Sequence, residues 1–93
     1  MMIRPPNSEE DVNADRIMRD TVNAFIRKQV VGSLGTPDDL LSVQVRSIGG
    51  ERYRVNVVVG KTVAATRISN SFFLTADAEG NILTSSPKIV RLY

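Results

Sequence analysis

The spacing of apolar residues changes period once, near residue 40, and that change divides the chain into a helical part and a stranded part. From Glu9 to about Val31, Ala14, Ile17 or Met18, Thr21, Val22, Phe25 and Gln29 recur at i, i+3/i+4 spacing. Asp15, Arg16, Arg19, Asp20, Asn23 and Arg27 occupy the opposite side. The pattern predicts one amphipathic helix. Ser8 is its N-cap, and Glu9, Glu10 and Asp11 place negative charge at the positive end of the helix dipole. Ser8 and Asp11 have the spacing of a capping box, with Asp in place of the usual Glu or Gln. Gly32 is the expected C′ stop, with Arg27 and Lys28 near the negative end. Burying Val22 and Phe25 contributes roughly 1.5–3 kcal/mol each, so the helix needs a partner surface. Residues 1–7 read as an extended tail, because Pro5 and Pro6 bar a helix.

Beyond a connection at Gly32–Asp39, in which Thr36-Pro37 has the form of a cap and N1 proline for a single helical turn, the period becomes two. Leu41, Val43 and Val45 alternate with Ser42, Gln44 and Arg46. Gly49-Gly50 is a hairpin signal of the type I′ kind. Tyr53, Val55, Val57 and Val59 form one face of the next strand, with Arg52, Arg54 and Asn56 on the other. Gly60-Lys61 marks a turn into a long third strand, about residues 62–77. There Val63 and Ala65 share one parity while Ile68, Phe72, Leu74 and Ala76 share the other, which requires a bulge or bend between Ala65 and Asn70. Ala78–Asn81 is a turn. The last strand starts at Ile82, is interrupted at Ser85-Ser86-Pro87 and resumes over residues 89–93. The fold class is therefore α+β over residues 1–93 as one domain, an N-terminal helix packed on a four-stranded antiparallel meander.

Composition narrows the chemistry. The chain has neither cysteine nor histidine, which excludes disulfides, thiol nucleophiles, cysteine-ligated zinc and the commonest general base. Ser69, Ser71, Ser85 and Ser86 have no histidine to activate them, and no phosphate-binding glycine motif is present. A non-enzymatic protein without a cofactor is expected. No apolar leader and no membrane-length apolar run occur, so a cytoplasmic protein without membrane attachment is expected, and a trimmed secreted domain would read the same way. The net charge of +2 is unevenly spread: residues 1–40 hold five bases and seven acids, residues 41–93 seven bases and three acids. The helical part is acidic and the sheet part basic.

Arg46-Ser47-Ile48-Gly49-Gly50-Glu51-Arg52-Tyr53 is the most specific local feature. Following a helix and a strand, it resembles the inhibitory hairpin of the cystatin family, whose tip reads Q-x-V-x-G with a tyrosine three residues on. Arg46 stands for the Gln, Ile48 for the Val, and Gly50 and Tyr53 match. The resemblance covers about residues 9–59 and implies a cystatin-like roll. The family's second inhibitory hairpin carries Pro-Trp, and this chain has no tryptophan; Val22-Asn23-Ala24-Phe25-Ile26 only echoes the family's helix signature. Phe72–Ile82 is similar to the terminal hairpin of PepSY-type domains. Its Asp77, Glu79 and Asn81 have the spacing of a calcium loop but no downstream bidentate Glu, so a polar turn is expected.

These features lead to a small protein-binding or inhibitor-like module that contacts an unidentified protein through Arg46, Ile48, Gly49, Gly50, Arg52 and Arg54. The alternative is a binder of nucleic acid or other anions through a basic sheet face, disfavoured by the small net charge and by the lack of aromatics interleaved with the arginines. A homodimer through a sheet edge is expected, since a last strand bearing Ile89, Leu92 and Tyr93 needs covering.

Overall fold

The computed structural model describes residues 9–93, with side chains from Arg16 onward. The expected tail over residues 1–7, the Ser8 cap and the place of Ala14 on the apolar stripe lie outside the described residues. Helix α1 spans Glu9–Leu34, and strands β1 (Leu40–Gly49), β2 (Arg52–Gly60), β3 (Thr66–Ala76) and β4 (Ile82–Ser86) follow. The strands pair antiparallel in the order β1-β2-β3-β4. A helix followed by a four-stranded meander is thus the architecture, with β1 and β4 as the two sheet edges. Among the described residues no helix is long and apolar enough to cross a membrane.

Gly32 does not stop the helix. Leu34 is its last residue, and Gly35, at φ +92°, takes the left-handed C′ position and donates its N–H to the Val31 carbonyl at 2.8 Å. The Leu34 carbonyl, which the helix itself cannot satisfy, accepts the N–H of Leu92 at 2.8 Å and of Tyr93 at 3.2 Å. The resumed strand expected over residues 89–93 is therefore absent. Ile89 packs half-buried against the core, and the segment after it ends on the helix terminus. The Tyr93 hydroxyl donates to Asn70 Oδ1 at 3.1 Å. The edge strand whose Ile89, Leu92 and Tyr93 were expected to need a dimer partner does not form.

The stripe that reaches the core is Ile26, Val30 and Leu34, with Val22 and Val31 flanking it. Phe25 remains 40% exposed, and Ile17 and Met18 are 64% and 66% exposed. Val22 packs against the core, whereas Ile17 and Met18, one turn earlier, stay largely in water. On the sheet, Val43, Val55, Val57, Val59, Phe72, Leu74 and Ala76 are buried. Val43 lies opposite Val57, Val55 opposite Phe72 and Tyr53 opposite Leu74, so these residues share one face, the face that carries α1.

A register shift between Val57 and Val58 sets Asn70 opposite Val57 and Ile68 opposite Val58, leaving Ser69 as the extra residue of a bulge. The bend lies inside the expected interval. It also separates Ile68 from the parity of Phe72 and Leu74: Ile68 is on the outer face, 55% exposed. Residues 61–65, expected to open the third strand, form a turn, closed by the Ala65 N–H on the Thr62 carbonyl at 3.0 Å.

The β1–β2 turn is centred on Gly50-Glu51, because Gly49 pairs with Arg52. Gly50 has φ +57° and no residue other than glycine has positive φ among those described. Glycine first and a non-glycine second fits a type II′ turn rather than the expected type I′, which requires positive φ at both central positions.

Gln29 joins the helix to the far side of the sheet. Its Nε2 donates to the Gly80 carbonyl at 2.6 Å, and its Oε1 accepts the Ile82 N–H at 3.1 Å. Removing this amide leaves two part-buried backbone groups without partners. Gln29→Ala is expected to lower stability by about 1–3 kcal/mol in chemical denaturation. A loss within experimental error would show that water replaces both bonds.

The β3–β4 turn is a polar turn built on Asp77. Its Oδ1 accepts the N–H groups of Glu79 at 3.0 Å and Asn81 at 2.9 Å, and its Oδ2 accepts Asn81 Nδ2 at 3.0 Å. The side-chain amide of Asn81, then the Asn81 N–H, hold the Asp77 carboxyl below its ordinary value. A depressed carboxyl stabilises the fold at pH above its unfolded value and loses that contribution as pH falls through the folded value. Stability is therefore expected to fall with acidification below about pH 4, and less steeply in Asp77→Asn. Identical acid profiles for the two proteins would remove Asp77 as the cause.

Candidate functional site

Because side chains alternate across a strand, burying Val43, Val55, Phe72 and Leu74 under the helix sends their neighbours to the opposite, uncovered face. Arg46 pairs directly with Arg54, Arg54 with Phe73, and Phe73 with Ser86, so one row crosses all four strands on the outer face. A second row runs from Arg52 through Thr75 to Thr84. A third places Gln44 opposite Asn56 and Asn56 opposite Ser71, whose hydroxyl donates to Asn56 Oδ1 at 2.7 Å.

The structure brings most of the expected site residues together. Arg46, Arg52 and Arg54 are exposed on this face. Ile48 sits in a register irregularity between Ser47 and Gly49, 42% exposed, and Gly49 and Gly50 form the exposed tip beyond it. Ile48, Arg52, Phe73, Thr75, Thr84 and Ser86 border an open hollow of about 490 Å³. Gln44, Arg46, Arg54 and Asn56 border a second, more polar one of about 290 Å³.

Like charges directly opposite each other on neighbouring strands are destabilising, by roughly a few tenths of a kcal/mol on an exposed face. Arg46 and Arg54 are such a pair. Among the described residues none of the three arginines forms an ion pair. Arg54 is partly accommodated by a ring: its guanidinium carbon lies 5.4 Å from the centroid of Phe73, within cation–π range.

Phe73 is a site residue that the arginine pattern alone does not reveal. The sheet was expected to lack aromatics among its arginines, yet this ring is 52% exposed between Arg54 and the hollow. A signal for it exists in the sequence. Phe72, Leu74 and Ala76 share the inward parity, so Phe73 has to face outward. What the parity does not supply is the register that sets it beside Arg54.

The hydroxyls of Ser69, Ser71 and Ser85 bond within the sheet and its β4 end. Ser69 Oγ bonds the Val57 carbonyl at 3.4 Å and Ser85 Oγ the Pro87 carbonyl at 2.7 Å, neither of them a base that would activate a nucleophile. Among the described residues no three His, Cys, Asp or Glu side chains are grouped so as to hold a metal ion. Comparison of the chain with protein-family models, curated proteins and solved structures gives no match.

Proposed function

We propose that this protein is a small non-catalytic module that binds a protein partner through the outer face of its sheet and the Gly49-Gly50 tip. The observation that carries the reading is the uncompensated arginine row: Arg46 and Arg54 face each other with no carboxylate on either, beside exposed Ile48 and Phe73. A partner surface that supplies carboxylates and apolar side chains relieves the repulsion and covers the two apolar groups. Aromatic and arginine side chains are the types enriched where proteins bind one another.

Binding of the 93-residue chain to a labelled peptide of alternating Glu and Val, followed by fluorescence anisotropy, tests this. Binding is expected at low salt, weakening as salt rises and lost in the Arg46→Glu/Arg54→Glu variant. No binding at low salt rejects the reading. The inhibitor form, which rests on the cystatin resemblance of Ile48, Gly50 and Tyr53, is tested by titration against papain. An unchanged rate at stoichiometric excess ends it.

A second reading is favoured by one observation, the exposed Phe73 ring beside Arg54. Arginines flanking an aromatic platform suit single-stranded nucleic acid, where stacking of a base contributes about 1–3 kcal/mol. A labelled oligothymidine is then expected to bind more tightly than the acidic peptide, with affinity falling steeply in salt and about tenfold or more in Phe73→Ala. An oligothymidine affinity indifferent to Phe73→Ala rejects it.

A further inference from the structure

The outer arginine row ends at β1, and β1 is an edge. In an antiparallel ladder every second residue of an edge strand points its N–H and C=O away from the sheet. The Nε of Arg27, reaching from α1, donates to the Val43 carbonyl at 2.9 Å, which marks Val43 as one of these outward residues. Alternation makes Val45 and Ser47 the next two. Among the described residues no backbone or side-chain group bonds their outward N–H or C=O. With ten residues β1 offers a long edge, whereas β4 has five.

The two sides of this open stretch differ in chemistry. On the outer side, Arg46 has a like charge, Arg54, as its β2 neighbour and no strand on its other side. On the helix side, Ser47 borders a groove of about 330 Å³ with Met18, Val22 and Tyr53 along its walls.

We propose that β1 takes up an extended acidic segment of a partner protein as a fifth strand. Its backbone pairs with Val45 and Ser47, its carboxylate side chain lies opposite Arg46 on the outer face, and its next side chain, an apolar one, faces the groove at Ser47. Cross-strand neighbours sit about 4.5–5.5 Å apart at Cβ, so a Glu opposite Arg46 pairs with it directly. Main-chain pairing supplies the contact and the alternation of acidic and apolar side chains supplies the selectivity. The proposal rests on the reading of the outer face as a binding face, and adds how the partner is held.

The test uses the whole chain, the alternating Glu–Val peptide, and the same peptide methylated on every second backbone nitrogen in each of the two phases. Amide exchange is followed by NMR. On binding, the amides of Val45 and Ser47 are expected to slow by about tenfold or more, while those of Gln44 and Arg46, already paired with β2, change little. One of the two methylated peptides is expected to bind at least about tenfold more weakly, having lost its bonds to the edge. An alternating Lys–Val peptide is expected to bind Arg46→Glu in preference to the unmodified protein. Binding of the acidic peptide without added protection at Val45 and Ser47 overturns the fifth strand and leaves the outer-face reading intact. Absence of binding at low salt overturns both. Slow exchange of Val45 and Ser47 in the free protein, deepening with concentration alongside a dimeric mass in light scattering, assigns the edge to a second copy and overturns the proposal.

Discussion

Phe72→Ala is expected to destabilise the protein by about 3–5 kcal/mol, the largest single loss available in this fold. The ring is 3% exposed on β3, opposite Val55, and lies on the sheet face that packs beneath Ile26 and Val30. Truncation removes its transfer free energy and leaves a cavity that neighbouring strands, tied on both sides by ladder bonds, close only in part. Domains of this size have about 5–15 kcal/mol in total, so the variant sits near its unfolding limit. Denaturant unfolding with an unchanged slope and a much lower midpoint is the expected signature. The contrasting substitution is its neighbour. Phe73→Ala removes a ring that is half in water and is expected to cost well under half as much, about 1 kcal/mol. A larger loss at Phe73 than at Phe72 would mean that the faces of β3 have been assigned the wrong way round.

The second large effect is expected at Gly35. Its φ of +92° is a conformation that an L side chain rarely adopts, and a Cβ placed there would fall on the backbone carbonyl oxygen of Tyr93. Backbone cannot move aside as the end of a flexible side chain does. Gly35→Ala is expected to cost about 2 kcal/mol or more, part from the dihedral and part from displacing the segment that caps Leu34. The two parts separate in a double-mutant cycle with deletion of Leu92 and Tyr93. In the shortened chain only the dihedral part, roughly 1–2 kcal/mol, is expected to remain. An unchanged cost would show that the collision with Tyr93 contributes nothing.

The same corner shows where local reading of the sequence stops being sufficient. Val30 and Leu34 continue the apolar spacing of Val22 and Ile26, yet Gly32 reads as a terminator because glycine often is one. In the structure the last turns are held by a core contact at Leu34 and by N–H donors from Leu92 and Tyr93. The donors lie far from Gly32 in the sequence, so nothing local to the glycine announces them. The sheet was more legible. Alternation at Tyr53–Val59 and at Phe72–Ala76 gives the inner face, while the bulge at Ser69 falls inside strand β3 and turns Ile68 outward, which the parity of Val63 and Ala65, both in the turn, does not encode. Phe25 and Ile26 both fit an i, i+3/i+4 stripe, and the structure buries Ile26 while Phe25 stays 40% exposed. Which side of such a stripe is covered depends on where the sheet lies beneath it.

For the candidate site, chain order and alternation put Arg52 and Arg54 on one face. The pairing of Arg46 with Arg54, and of Arg54 with Phe73, depends on the lengths of two turns and on the extra residues at Ile48 and Ser69. The Gly50-Glu51 turn, with Ile48, sets the first and the turn over residues 61–65, with Ser69, sets the second. A one-residue change in either moves every side chain of a strand to the other face.

The Gln29 clamp carries a consequence for how the molecule opens. It ties residues 51 and 53 positions apart in the chain, so it forms only after the meander has brought Gly80 and Ile82 back to the helix. Closing so long a loop is mainly an entropic cost, recovered in one step when α1 and the β3–β4 turn meet. β4, short and at an edge, is tied both by its ladder with β3 and, through Ile82, by the Gln29 side chain. The helix and the last strand should then belong to one cooperative unit, and the exchange rate of the Ile82 amide reports how often the helix lifts from the sheet.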